Sequence, residues 1–299
     1  MLVADQPAVY HVMSRACLDG LPFGPKEKDH LLAVIKRFAA IYFCDVLGFC
    51  LMGNHFHLLL RMQPETLIPD KAVAERYQQL FKGHPVPNPK RIAVFRRKWT
   101  SLSFMIQEIK QTFSRYYNRQ HGRRGYLWDG RFKSVIVQDG RTLVNCLAYI
   151  DLNPIRAGIA KRPEDYRWCS LGYHAQGRNS DGFLSMDLGM AEWDVESGSE
   201  RLRLYREYVY RTGALDRAGG AEMNQRIAQR AEMRQFKYTQ ADRLLMRTRW
   251  FTDSAIIGSR AFVSNLGRRL GLGSGTKREP KRVAGLDDVY SFRRLSEVL

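Results

Sequence analysis

Two apolar stretches, "CDVLGFCLM" and "HFHLLLRM", are separated only by Gly53 and Asn54. A Gly-Asn pair suits a tight hairpin turn, so the two runs are predicted as adjacent antiparallel strands. Residues 8–15, "AVYHVMSR", alternate and read as an earlier strand. Between them, Gly24-Pro25 opens a segment in which Leu31, Leu32, Ile35 and Phe38 recur at helical spacing. The order strand, helix, strand, strand predicts an α+β fold with an antiparallel pair at its centre.

Downstream of a proline-rich connection, "FKGHPVPNPKR", a helix is predicted over about 101–118 with Phe104, Ile106, Ile109 and Phe113 as its buried stripe. A glycine-punctuated loop then leads to a strand near 134–138. A further helix follows, carrying Leu143, Leu147 and Ile150 on one face. The composition shifts to Gly, Ser and acids over 176–200, which marks a surface segment or boundary. This divides the chain into a domain over 1–175, an acidic Gly/Ser-rich connection over 176–200 and a basic, helical extension over 201–299. The extension reads as "RLRLYREYVYRTG", "AEMNQRIAQRAEMRQFKYTQADRLLMRTRW" and "TDSAIIGSRAFVSNLGRRLG", the last with Thr252 or Ser254 as candidate N-cap. It is either part of a small DNA-binding unit or a basic tail packed on the main domain.

With 299 residues, 44% of them hydrophobic, the chain can fill a real core, and its formal charge of +18 points to a polyanionic partner. Nucleic acid fits better than a membrane, because no apolar run approaches the roughly 20 residues of a spanning helix. The start of the chain shows no basic region followed by an apolar one, so a cytoplasmic, nucleoid-associated protein is expected. Five cysteines without a C-x-x-C pair argue against a disulfide framework or a cysteine zinc site. The absence of a G-x-x-x-x-G-K-[ST] loop means that any reaction must carry its own energy.

His55 and His57 are two residues apart in a strand and so face one side, where neutral imidazoles can serve one divalent ion. A structural pair is the alternative. Beside a nucleic-acid groove, such an ion would serve phosphodiester chemistry. Magnesium or manganese needs oxygen ligands as well. In "YIDLN", Tyr149 and Asn153 stand at i and i+4, on one helical face. Tyr149 also reads as a core residue, and Asn153 as the N-cap of a turn begun by Pro154. Tyr116 and Tyr117 are rival nucleophiles on spacing alone. His11, His30, His84, His121 and His174 lack a comparable pairing and read as ordinary.

From Pro89 to Ser134, twelve Lys or Arg residues stand against two acids and are interleaved with aromatics. Cations for phosphates and rings for bases suit single-stranded or hairpin DNA. Arg119, Arg123, Arg124, Trp128, Arg131 and Lys133 are the candidate DNA contacts. The competing interpretation is a solvated basic face with Trp128 and Phe132 in the core.

Together, "YHVMSR", "NHFHLLL", "FSRYYNRQHGRRGYLWDGRF" and "YIDLNPIRAGI" resemble, in order and spacing, the REP-associated tyrosine transposases within the histidine-hydrophobic-histidine (HUH) single-tyrosine family. The resemblance implies a ferredoxin-like antiparallel sheet with helices on one face and the HUH strand in its interior. It implies metal ligation by His55 and His57, with Asn153 as the amide ligand and Tyr149 as nucleophile. The activity it implies is Mg2+- or Mn2+-dependent nicking and strand transfer on hairpin or palindromic repeat DNA through a 5′-phosphotyrosine, by a monomer or a homodimer. A REP-associated role is favoured over an autonomous transposase, and a non-catalytic DNA-binding regulator that keeps the fold is the alternative.

Overall fold

The structure, a computed structural model, describes residues 3, 5–177, 179–188, 195, 197–214, 251, 254–272, 279–283 and 288–293. Its first half is built as the alternation predicts. Strand β1 (Ala8–Arg15) leads to α1 (Pro25–Ile41), and then to the hairpin of β2 (Cys44–Leu51) and β3 (His55–Met62). The Met52 N–H donates to His55 O at 2.8 Å, closing the turn over Gly53 and Asn54. Strand β3 pairs antiparallel with both β2 and β1, and β1 pairs antiparallel with β4 (Lys133–Val137). The resulting order β2-β3-β1-β4 is that of a ferredoxin-like sheet, with the two histidines on an interior strand.

Between β3 and β4 lie α2 (Asp70–Leu80), α3 (Pro89–Trp99) and α4 (Leu102–Gln120). Neither α2 nor α3 is expected from the hydrophobic pattern. Each buries only two side chains, Val73 and Tyr77 or Ile92 and Trp99, so neither carries a long apolar stripe. In α4, Ser101 caps the start, accepting from the Phe104 N–H; Ile106, Ile109 and Phe113 are buried as expected, but Phe104, in the first turn, is 45% exposed.

One face of the sheet, carrying Tyr10, Val12, Phe56, Leu58 and Leu60, packs on α1 and α4 through Leu31, Ile35, Ile106, Ile109 and Phe113. Fully burying each such side chain contributes about 1.5–3 kcal/mol. The opposite face carries Val9, Leu47, Cys50, Leu59 and Val135 and is covered by α5 (Arg141–Asp151). Helix α5 turns into the short α6 (Asn153–Arg156), and α7 (Ser170–Gly177) follows. Helix α8 (Gly198–Ala214) adds Tyr205 and Val209 to the same core. Gly48 makes the approach of α5 possible: a Cβ there would lie 2.1 Å from Leu147 Cδ1 and 2.9 Å from Ser170 Oγ.

The C-terminal region departs from the helical expectation. Ser254–Gly258 forms strand β5, parallel to β4, and α9 (Arg260–Arg269) follows. Strands β6 (Lys281–Arg282) and β7 (Tyr290–Arg293) complete a seven-stranded sheet of order β2-β3-β1-β4-β5-β7-β6. The run Ala255-Ile256-Ile257 is too short for periodicity to separate strand from buried helix. The helix start therefore moves: Ser254 is in the strand, and Ser259 is the N-cap, accepting from Phe262 N–H at 3.3 Å. Thr252 and "AEMNQRIAQRAEMRQFKYTQADRLLMRTRW" lie outside the described residues. Among the described residues no helix is long and apolar enough to cross a membrane.

Candidate active site

The register of β1 on β3 decides what the two histidines face. Met13 is opposite His57 and Arg15 opposite His55, so odd-numbered residues of both strands share the face covered by α5. The His55 and His57 ring centroids are 5.1 Å apart. Tyr149, on α5, sets its ring 5.8 Å from that of His57. All three lie on one side of the sheet. The rival tyrosines do not reach this face. Tyr116 stacks on His30 at 3.5 Å and Tyr117 on His121 at 4.2 Å, both on α4 across the sheet.

Asn153 is placed one turn beyond Tyr149, but its Nδ2 donates to Tyr149 O at 3.0 Å and to Ile150 O at 3.1 Å. The carboxamide thus closes the end of α5, which leaves Oδ1 as the atom for any ligating role.

Three residues that the sequence did not single out complete the cluster. His11 is fully buried with its ring stacked on His57 at 5.1 Å and 5.9 Å from Tyr149. Its Nε2 and His57 Nδ1 are 3.0 Å apart, and its Nδ1 is 2.9 Å from Phe251 O. The Phe251 ring packs on Tyr149 at 5.6 Å, and Tyr149 is 5% exposed. Arg156 stands 4.5 Å over the Tyr149 ring and donates from Nη1 to Tyr149 O at 2.8 Å. His11 could have been found by carrying the two-residue alternation of β1 across to β3. Nothing local in the sequence announces Phe251.

Burial holds the imidazoles neutral. It pulls His11 and His55 down to about 4, and the nearby Arg15 charge acts on His55 in the same direction. His57 is pushed well below its ordinary value by burial first, then by His11, His55 and Arg156. A neutral imidazole keeps one lone-pair nitrogen, the form a metal needs. By donor type, two neutral imidazoles on one sheet face suit a divalent cation that takes its remaining ligands from oxygen. Among the described residues no three His, Cys, Asp or Glu side chains form a metal cluster, and His11 Nε2 is engaged with His57 Nδ1.

The basic loop lies next to the His55 end of the sheet. Asp129 N–H donates to Arg15 O at 2.8 Å, and Cys17 N–H donates to Leu127 O at 2.9 Å, so the loop is tied to the end of β1 opposite His55. Gly125 (φ 92°) and Gly130 (φ 65°) adopt backbone angles open mainly to glycine. Arg119, Arg124, Arg131 and Lys133 are exposed, and Arg123 is half-buried. Trp128 does not join them. It is 8% exposed, packs on Phe23, Phe56 and Phe113, and donates from Nε1 to Lys110 O at 3.1 Å, so its ring is unavailable to a base. Tyr126, 89% exposed, is the accessible aromatic surface of the loop.

No protein-family model matches the chain. A curated Haemophilus influenzae protein named as a REP-associated tyrosine transposase is 25% identical over 153 residues, covering 49% of this chain and 73% of that one. The chain is similar to a REP-associated tyrosine transposase. The transposase resemblance carried by the four motifs and the curated relative therefore agree. A solved structure of a REP-associated tyrosine transposase bound to a REP hairpin gives a TM-score of 0.40 at 13% identity, covering 59% of this chain and 85% of that one.

Proposed function

We propose that this chain is a single-tyrosine HUH enzyme that nicks and rejoins single-stranded DNA at hairpin or palindromic repeats, in the manner of the REP-associated transposases. The observation that carries the reading is the convergence of His55, His57 and Tyr149 on one sheet face, with 5.1 and 5.8 Å between successive rings. In this reading His55 and His57 hold Mg2+ or Mn2+, with Asn153 Oδ1 as the third protein donor. When bound, the cation supplies Lewis-acid polarisation of the scissile phosphate.

The chain's own groups do the rest. The Tyr149 Oη forms the new bond to phosphorus while the bond from phosphorus to the 3′-oxygen breaks. The phenolic proton leaves to solvent, and the departing 3′-oxygen takes one up as a 3′-hydroxyl. A phenol titrates near about 10, so forming the phenolate needs help. The Arg156 guanidinium over the ring favours negative charge there. The tyrosine–phosphate ester keeps the energy of the broken linkage, and attack by a second 3′-hydroxyl returns the phenol and joins a new strand. That balance requires no nucleotide hydrolysis. Arg15 and the exposed cations of the 119–133 segment lead the DNA backbone toward His55, with Tyr126 offering a stacking surface.

The non-catalytic regulator draws on one observation, the cover that Phe251 gives Tyr149. Incubating the full chain with labelled single-stranded hairpins separates the two readings. The enzyme cleaves with Mg2+ or Mn2+, stops with chelator, and is lost in His55→Ala and His57→Ala. Hairpin binding without cleavage under every metal condition supports the regulator.

A further inference from the structure

Each of the paired histidines ends a short relay that begins on a backbone carbonyl. On one side Asn54 Nδ2 donates to Gly20 O at 3.3 Å, and Asn54 Oδ1 lies 2.7 Å from His55 Nδ1. On the other, His11 Nδ1 lies 2.9 Å from Phe251 O, and His11 Nε2 lies 3.0 Å from His57 Nδ1. A carbonyl has no proton to give, so the polarity of both relays is fixed. With its nitrogen turned to Gly20, the Asn54 amide shows oxygen to His55, and His55 Nδ1 must carry the hydrogen. His11 must donate from Nδ1 to Phe251, which leaves a lone pair on its Nε2. His57 Nδ1 therefore donates to His11.

We infer that Asn54 and His11 are positioning residues that hold both His55 and His57 as Nδ1–H tautomers, leaving Nε2 as the lone-pair nitrogen on each ring. The second relay ends on Phe251, so a residue far along the chain sets the proton position in a pair formed by β1 and β3. Without these partners each ring is free to turn an N–H toward the place a cation needs. Buried polar ring atoms also demand partners, and here the partners are selective ones. The consequence for metal affinity rests on the proposed ligation; the tautomers do not.

Long-range 1H–15N spectra of the 15N-histidine-labelled, metal-free full chain at neutral pH read the tautomers directly, with His55→Ala and His57→Ala assigning the two rings. Both are expected with the hydrogen on Nδ1. In His11→Leu, His57 loses that pattern and Mn2+ affinity, measured by calorimetry, falls about 10- to 100-fold. His11→Gln can donate its amide to Phe251 O and accept from His57, so it restores both readouts. The inference is overturned if wild-type His57 carries its hydrogen on Nε2, or if His11→Leu changes neither the His57 pattern nor Mn2+ affinity. Should His11→Leu not fold, the wild-type and His11→Gln spectra still decide. A wild-type chain that shows the tautomers but binds no Mn2+ leaves the relays standing and sinks the metal-dependent reading instead.

Discussion

Adding one methyl group at Gly48 tests how α5, and with it Tyr149, is seated on the sheet. The new Cβ of Gly48→Ala would lie 2.1 Å from Leu147 Cδ1, where carbon atoms rest at about 3.5–4.0 Å, so roughly 1.5 Å must open between β2 and α5. Leu147 is fully buried and has no solvent to swing into. Overpacking of this kind costs about 1–3 kcal/mol, offset by about 0.5–1 kcal/mol from removing a glycine within a strand. A net loss of about 1–2 kcal/mol lowers Tm by about 2–8 °C in calorimetry. Because a displacement of about 1 Å in a reacting group can cost about 100-fold, hairpin nicking falls by up to that factor while hairpin affinity holds. Leu147→Ala in the same chain relieves the clash, so a double-mutant cycle shows a coupling of at least about 0.5 kcal/mol. Wild-type Tm and nicking rate in Gly48→Ala would refute the packing argument.

Trp128→Ala should cost about 3–5 kcal/mol of stability by emptying a core site, whereas Tyr126→Ala should leave Tm alone and weaken single-strand binding by about 1–3 kcal/mol; thermal melts and binding isotherms on both variants check the division. Arg124→Ala and Arg131→Ala should each reduce the slope of log affinity against log salt by about 0.7–0.9, read from titrations at several salt concentrations. Asp151 is buried at the end of α5, accepting from Tyr205 Oη at 2.6 Å and Leu171 N–H at 3.1 Å; desolvation raises it from 3.8 to about 6 against the opposing effect of those bonds. Its folded-state value exceeds the unfolded one, so its stability contribution is complete below about pH 4 and is lost as pH rises through about 6. Asp151→Asn should remove this fall, on the order of 3 kcal/mol between pH 4 and 7, in denaturant unfolding across that window.

Alternation and turn chemistry made β1, the β2–β3 hairpin, α1, α4 and α5 legible, because α1 and α4 repeat apolar residues at helical spacing while the hairpin strands, buried on both faces, are continuous apolar runs around a Gly-Asn turn. They left α2 and α3 unread, since two buried side chains per helix give no usable period. The error at Ser254–Gly258 has another cause: five residues with two isoleucines match strand and buried helix alike. At the site, His55 and His57 could be paired from spacing alone, but their approach to Tyr149 depends on how α5 crosses the sheet. Trp128 went astray because a tryptophan among arginines has the same local sequence whether it stacks on a base or fills a core. His11 needed the β1–β3 register, and Phe251 needed the fold itself.

The central claim is that one phenol on α5 and the paired imidazoles act together on DNA. Mass spectrometry of the peptide left covalently attached to a cleaved hairpin tests it most directly. The account predicts a single adduct on Tyr149, carrying the 5′-phosphate end and lost in Tyr149→Phe with hairpin binding retained. An adduct on Tyr116 or Tyr117, or cleavage that persists in Tyr149→Phe, would contradict it.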